Sequence, residues 1–178
     1  MSTQSTESDT GSRRKEFYSL LKTCLITIAA VSLLRLFVFE IVSVRKTSMY
    51  PAINDGDKLF VLKITYAFSQ PQRGDIAIVK ISDSESFVKR VIGRPGETIE
   101  IKDSTVYING TQLKEDYLPS GLEYYDFPLT EIPEDSYFVI GDNRIYSKDS
   151  RHPDIGFIKE NKFTGKVLFR LSPFTTFN

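Results

Sequence analysis

The stretch DIAIVKI, Asp75 to Ile81, is a β-branched run opened by an acidic residue, and its alternation suggests a half-buried strand with one face on a core. Runs of the same kind recur on both sides of it. KLFVLKI (58–64), SFVKRVI (86–92), ETIEIKD (97–103), TVYINGTQL (105–113), SYFVIGD (136–142) and GKVLFRL (165–171) are separated by Gly, Pro, Asn and Asp. This pattern predicts a mainly β, antiparallel domain. Asn109-Gly110 is the pair best suited to a tight type I′ hairpin turn, in which both central residues take positive φ. Beyond the N-terminal region no segment shows a helical period of comparable strength, and no internal repeat or low-complexity block follows.

The chain has 178 residues, enough for one ordinary globular domain plus a tail or anchor. Lys plus Arg and Asp plus Glu both number 23, so net charge gives no reason to expect a nucleic-acid partner. The single cysteine, Cys24, excludes an intramolecular disulfide and a Cys/His zinc pattern. The single histidine, His152, narrows any mechanism that needs an imidazole base or a His-rich metal site. No metal or cofactor is expected.

The opening MSTQSTESDTGS is small and polar, and cannot bury enough apolar surface to offset the entropy of ordering. With Arg13, Arg14, Lys15 and Lys22 it makes residues 1–22 a disordered, basic, cytoplasmic tail. TCLITIAAVSLL and, after Arg35, LFVFEIVSV follow. Thr23 to Leu34 alone is the length of a secretory-leader core with a cleavage site near Ala30 and Ser32. Because the apolar character continues and Arg35 can snorkel, Thr23 to Val44 is read instead as one tilted, uncleaved spanning helix. Basic residues ahead of it favour a cytoplasmic N-terminus, partly balanced by Arg45 and Lys46, and leave 45–178 as an extracytoplasmic β-rich domain.

KTSMYP, Lys46 to Pro51, follows directly. Pro51 fixes φ and removes a donor, which holds Ser48 in an extended, turn-like path. A serine hydroxyl needs a base to become a nucleophile. His152, in SKDSRHPD, would complete a Ser-His-Asp triad, but its bland reading is an exposed loop residue before a proline. Lys89, in SFVKRVIGRPGE, shares a strand face with Phe87 and Val91, while Arg90 turns the other way. If that face is buried, desolvation lowers the lysine pKa, and bringing it to about 8 costs roughly 3 kcal/mol. The competing reading is a strand-edge charge with its head in water. GDNRIYSKDSR, Gly141 to Arg151, is either a loop of turn formers and surface ion pairs or a hydrogen-bonded scaffold, with Asp149 paired to Arg151 and Ser147 aimed at the lysine amine.

Taken in order, the anchor, SMYP, GDKLFV, RGDIAIV, VKRVIGRPGE and GDNRIYSKDSR resemble bacterial type I signal peptidases, in the compact form typical of Gram-positive bacteria. The resemblance implies coiled antiparallel sheets with an extended substrate groove, Ser48 as nucleophile and Lys89 as general base. It places Ser147 as the serine that orients the lysine, and Asp149, Arg151, Asp142 and Arg144 in a supporting polar network. Met49, Tyr50 and Pro51 would lie at the membrane-facing mouth of the site.

The implied activity is serine-endopeptidase removal of leader peptides after Ala-x-Ala-type sites through an acyl-enzyme, without metal or cofactor. The implied partners are preprotein signal peptides, the lipid bilayer and nearby secretion machinery. Two positions depart from the family pattern. Lys46 stands where many members carry Ser or Gly, leaving the Ser48 N–H as the expected oxyanion donor, and IYS, Ile145 to Ser147, replaces the more usual DNS or NS pattern in the loop. Some relatives act instead as non-catalytic assembly factors for surface fibres and are marked by loss of the serine or lysine; both are present here. A self-cleaving repressor with a similar pair is opposed by the anchor and by the lack of a DNA-binding helical segment.

Overall fold

The structure is a computed structural model that describes residues 7–177, with side chains from residue 13. Residues 1–6 of the expected tail lie outside the described residues. The chain divides into two units, 1–38 and 39–178.

The first unit is one helix, α1 (Glu7–Phe37). Its described side chains are all exposed. Residues Arg13–Phe37 are apolar enough to cross a membrane, and at 1.5 Å per residue they measure about 37 Å, against a hydrocarbon core of about 30 Å. Polar groups along it are satisfied internally: the Thr23 hydroxyl donates to the Ser19 carbonyl at 3.0 Å and that of Thr27 to the Thr23 carbonyl at 2.9 Å. Arg35 in the last turn complements the negative end of the helix dipole.

The bounds correct the sequence reading at both ends. Helix already covers residues 7–22, which the sequence reading assigned to a disordered tail, and it stops at Phe37, short of Val44. Phe39–Ser43 is a strand, β1. The physical reason is that FEIVS is aromatic and β-branched, and a short apolar run has no period that separates strand from helix. Pairing decides it.

The second unit contains β1, β2 (Lys58–Leu62), the short helix α2 (Thr65–Phe68), β3 (Ile76–Lys80), β4 (Ser86–Gly93), β5 (Thr98–Lys102) and β6 (Thr105–Ile108). It continues with β7 (Thr111–Gln112), β8 (Phe127–Glu131), β9 (Ser136–Ile140), β10 (Ile158–Lys159), β11 (Phe163–Leu171) and β12 (Phe174–Thr176). Every strand pairing is antiparallel. One sheet runs β1-β2-β11-β3-β4-β9-β10 with β12 beside β11, and the other runs β7-β6-β5-β8. Register shifts in β4 and β11 mark bulges, which bend and twist the larger sheet.

All seven sequence-predicted strand runs are strands. Asn109 and Gly110 form the two-residue loop between β6 and β7 with φ of 51° and 73°. Asp103-Ser104 makes a similar left-handed connection between β5 and β6 with φ of 49° and 58°. Alternation along β3 sends Ile76 and Ile78 toward one core cluster, with Met49, Leu59 and Val61, and Ala77 and Val79 toward another, with Val91, Tyr137 and Val139. The smaller sheet closes a third cluster through Ile99, Ile101, Val106 and Phe138.

Gly165 lies at a bulge where β11 meets both β2 and β3. A Cβ there would stand 2.6 Å from Val61 Cγ1 and 3.3 Å from the Leu62 carbonyl oxygen. Gly165→Ala is therefore expected to lower stability in urea unfolding by about 1–3 kcal/mol through overpacking.

Candidate active site

Lys89 lies in the middle of β4, directly opposite Ala77 of β3. It is only 2% exposed. Apolar neighbours on both strands leave the amine little water, and its Nζ sits 5.1 Å from the centroid of the Phe87 ring. Burial pushes its pKa down to about 8; Asp149 and Asp142 act against that shift, and Arg151 and Lys46 act with it.

Ser48 sits in a tight turn after β1, where the Tyr50 N–H donates to the Thr47 carbonyl at 3.1 Å. Ser48 and Lys89 line one cleft of about 820 Å³, together with apolar side chains such as Met49, Ile78 and Val88. A polar loop holds the turn from behind. The Asn143 N–H donates to the Ser48 carbonyl at 3.1 Å, and Asn143 Nδ2 donates to the Thr47 carbonyl at 3.0 Å.

That loop is Gly141–Arg151, and Asp142, Arg144 and Asp149 make it a hydrogen-bonded scaffold anchored by buried charges, while Ile145, Tyr146 and Lys148 stay exposed. Arg151 donates through Nε and Nη2 to the two Asp149 oxygens, both at 2.8 Å, and the Gly141 N–H donates to Asp149 Oδ2 at 3.0 Å. Burial alone would raise the Asp149 pKa, but the Arg151 guanidinium and these hydrogen bonds hold it below the ordinary carboxylate value. Arg90, on the face of β4 opposite Lys89, makes a buried bidentate pair with Asp142 at 2.8 and 2.7 Å. Its guanidinium also donates to the Gly74 carbonyl at 2.9 Å and lies 3.9 Å from the Tyr117 ring centroid. Arg144 turns away from Asp142 to pair with Glu115, donating to Oε2 at 3.0 Å and to the Tyr124 hydroxyl at 2.9 Å.

Ser147 packs against Gly141, where a Cβ would meet its Oγ at 2.2 Å and the Ser48 carbonyl oxygen at 2.3 Å. The Ser147 hydroxyl is buried without a hydrogen bond of full geometry, though it lies near enough to Asp149 to favour the ionised carboxylate.

One sequence expectation changes. Met49, expected at the membrane-facing mouth with Tyr50 and Pro51, is 1% exposed and belongs to the core, because the turn swings its side chain inward against Leu59 and Val61. Tyr50 is 54% exposed, and Pro51 is exposed as well. Lys46 takes a φ of 84°, a left-handed conformation natural to glycine, which gives the departure from the family pattern a backbone setting. His152 is half-exposed, accepts a 3.2 Å hydrogen bond from the Asp154 N–H through Nδ1, and is not among the residues that line the cleft.

Sequence reasoning put Arg90 on the opposite face without finding its partner, and missed Glu115, Tyr117 and Tyr124. A charged residue inside the apolar VKRVI was the available signal for Arg90; the other three sit in a segment with no periodic pattern. Among the described residues, no three His, Cys, Asp or Glu side chains converge to hold a metal ion.

The family model for signal peptidase, peptidase S26, matches residues 17–172. A signal peptidase I of Bacillus amyloliquefaciens is 41% identical over 163 residues, covering 86% of this chain and 84% of the relative. One from Bacillus licheniformis is 36% identical over 179 residues, covering 95% and 96%. A crystal structure of a signal peptidase I from Enterococcus faecalis has 39% identity and a TM-score of 0.48, covering 55% of this chain and 97% of that one. With the family model spanning the apolar helix, the serine turn, the lysine strand and the polar loop alike, the chain belongs to the signal peptidase family, peptidase S26, and is a serine endopeptidase.

Proposed function

We propose that the chain removes signal peptides from exported preproteins, with Ser48 as nucleophile and Lys89 as general base. The observation that carries this reading is a dry amine, with its pKa lowered to about 8, in the same cleft as the turn serine. Neutral Lys89 takes the Ser48 proton as Oγ attacks the scissile carbonyl, and the Ser48 N–H is the candidate donor to the developing oxyanion. The intermediate collapses to an acyl-enzyme, and the leaving amine carries away the proton held by Lys89. Water, deprotonated in turn by Lys89, then releases the acyl group and restores Ser48.

Ser147, with a buried hydroxyl lacking a full partner, is the group to orient the lysine. Asp149, Arg151, Asp142 and Arg144 hold the loop that carries it. The apolar lining from Met49, Ile78 and Val88 supports small apolar residues at the −1 and −3 positions, the Ala-x-Ala pattern. The exposed apolar helix supports a single-pass anchor with a cytoplasmic N-terminus and a catalytic domain outside, close to the secretion machinery. Enzyme and leader held in one membrane gain effective concentration.

In cleavage of a preprotein by the full-length protein, Ser48→Ala and Lys89→Met are each expected to lose activity by about 10³-fold or more, and His152→Ala to stay within a few-fold of wild type. Survival of Lys89→Met alongside loss in His152→Ala would favour a histidine base; wild type that binds preprotein and never cuts would favour an assembly factor.

The base must be neutral, so kcat/KM is expected to fall tenfold per pH unit below a midpoint near 8. Folding also lowers the Lys89 pKa, so the unfolded chain keeps a proton that the folded one has released between about 8 and the ordinary 10.5. Stability thus rises with pH through that window, and below it the folded state carries a penalty of about 3 kcal/mol. Lys89→Met is expected to raise the midpoint of chemical denaturation at neutral pH while removing activity, with the gain disappearing as the pH passes 10.5.

A further inference from the structure

We infer that Lys46 is a second cation of this site, a positioning residue whose charge acts on Lys89 across the Phe87 ring. The inference rests on the serine-lysine reading above. Lys46 Nζ lies 5.7 Å from the centroid of the ring that Lys89 Nζ approaches to 5.1 Å. The two ammonium groups can therefore be no more than about 11 Å apart, within reach of a Coulomb interaction that is only partly screened. Lys46 also lines the cleft and stands two residues before the nucleophile.

The backbone marks the position as held rather than incidental. A φ of 84° places the lysine where its Cβ is strained, and the Lys46 N–H is pinned by a 2.7 Å hydrogen bond to Asp55 Oδ1. Glycine would take that conformation freely, whereas the lysine holds it at a cost in backbone strain.

Four charged groups act on the Lys89 amine: Asp149 and Asp142 favour its proton, and Arg151 and Lys46 disfavour it. Arg151 is locked bidentate on Asp149, so those two fields largely offset each other at the amine. Lys46 has only a loose partner, Glu85, at 3.7 Å, and its side chain is 75% exposed. Lys148 and Asp154, also on the cleft wall, neutralise each other at 3.1 Å. Arg45 is exposed on the same cleft wall but is not among the groups that shift the amine, so of the cations that do, Lys46 is the one whose influence is set by the solution.

The test is the acidic limb of kcat/KM at low salt. Removal of a positive charge near the base makes Lys89 easier to protonate, so Lys46→Gly is expected to move the limb to higher pH by about half a unit, and Lys46→Glu by about one unit. Lys46→Arg is expected to keep the wild-type limb. High salt is expected to bring wild type toward the glycine variant and to leave that variant in place. Lys46→Gly suits its backbone conformation, so an unchanged or raised Tm shows that the fold is intact.

A glycine variant whose limb coincides with wild type at low salt overturns the inference, as does an arginine variant that shifts as far as the glycine one. The Lys89 side-chain nitrogen resonance, titrated by NMR in the same variants, reports the displacement without turnover. A shift in that titration with activity surviving Lys89→Met would sink the serine-lysine reading and leave the electrostatic coupling standing.

Discussion

A lysine amine in a dry site with a guanidinium nearby faces two demands at once: little water near its nitrogen, and no unbalanced field from that guanidinium. Lys89 meets the first by its place in the centre of β4. The second is met by pairing, since Arg151, the guanidinium that acts on the amine, is locked on Asp149, and Arg90 and Arg144 farther along are likewise held by Asp142 and Glu115. A buried ion pair gives little net stability, and a broken one costs several kcal/mol. The value of these pairs is therefore geometric and electrostatic. Each holds a loop in one arrangement, and the field of each pair at the lysine is that of a dipole rather than a charge.

The same arrangement explains how a loop can sink its two ends into the domain. Irregular segments run over protein surfaces because their backbone groups need partners. Here the partners come from the loop itself and from the serine turn, through the Gly141 N–H on Asp149 and the Asn143 contacts with Thr47 and Ser48. Gly141 stands between the Ser48 carbonyl and the Ser147 side chain with no room for a β-carbon. Serine turn and polar loop thus share one contact surface, and a displacement of either moves the other.

Much of this was legible in the sequence where local pattern and tertiary role agree. Alternation in DIAIVKI and SFVKRVI marked the strands and put Lys89 on the face of Phe87 and Val91, whose burial only the fold decides, and Asn109-Gly110 specified its own turn. The reading failed where local signals are degenerate. Phe39–Ser43 continues the apolar character of α1, and only its pairing with β2 makes it a strand. Met49 looked like part of an exposed turn because nothing local says which way a single side chain faces. Glu115, Tyr117 and Tyr124 meet Arg144 and Arg90 from 20 to 29 residues away in sequence, inside a segment with no periodicity of its own. Such partners emerge only when the chain is folded.

The hairpin tip at Asn109-Gly110 has a consequence for how this scaffold tolerates growth. A β-carbon built on Gly110 meets nothing within 4 Å, and the turn joins two strands of the smaller sheet, whose core cluster is separate from the one that contains Met49. A segment spliced in at that tip adds loop-closure entropy that grows only slowly with its length, and it leaves β3, β4 and their shared ladder untouched. The tip is accordingly a permissive port, where an affinity handle, a reporter or a whole extra module can be grafted without disturbing the chemistry.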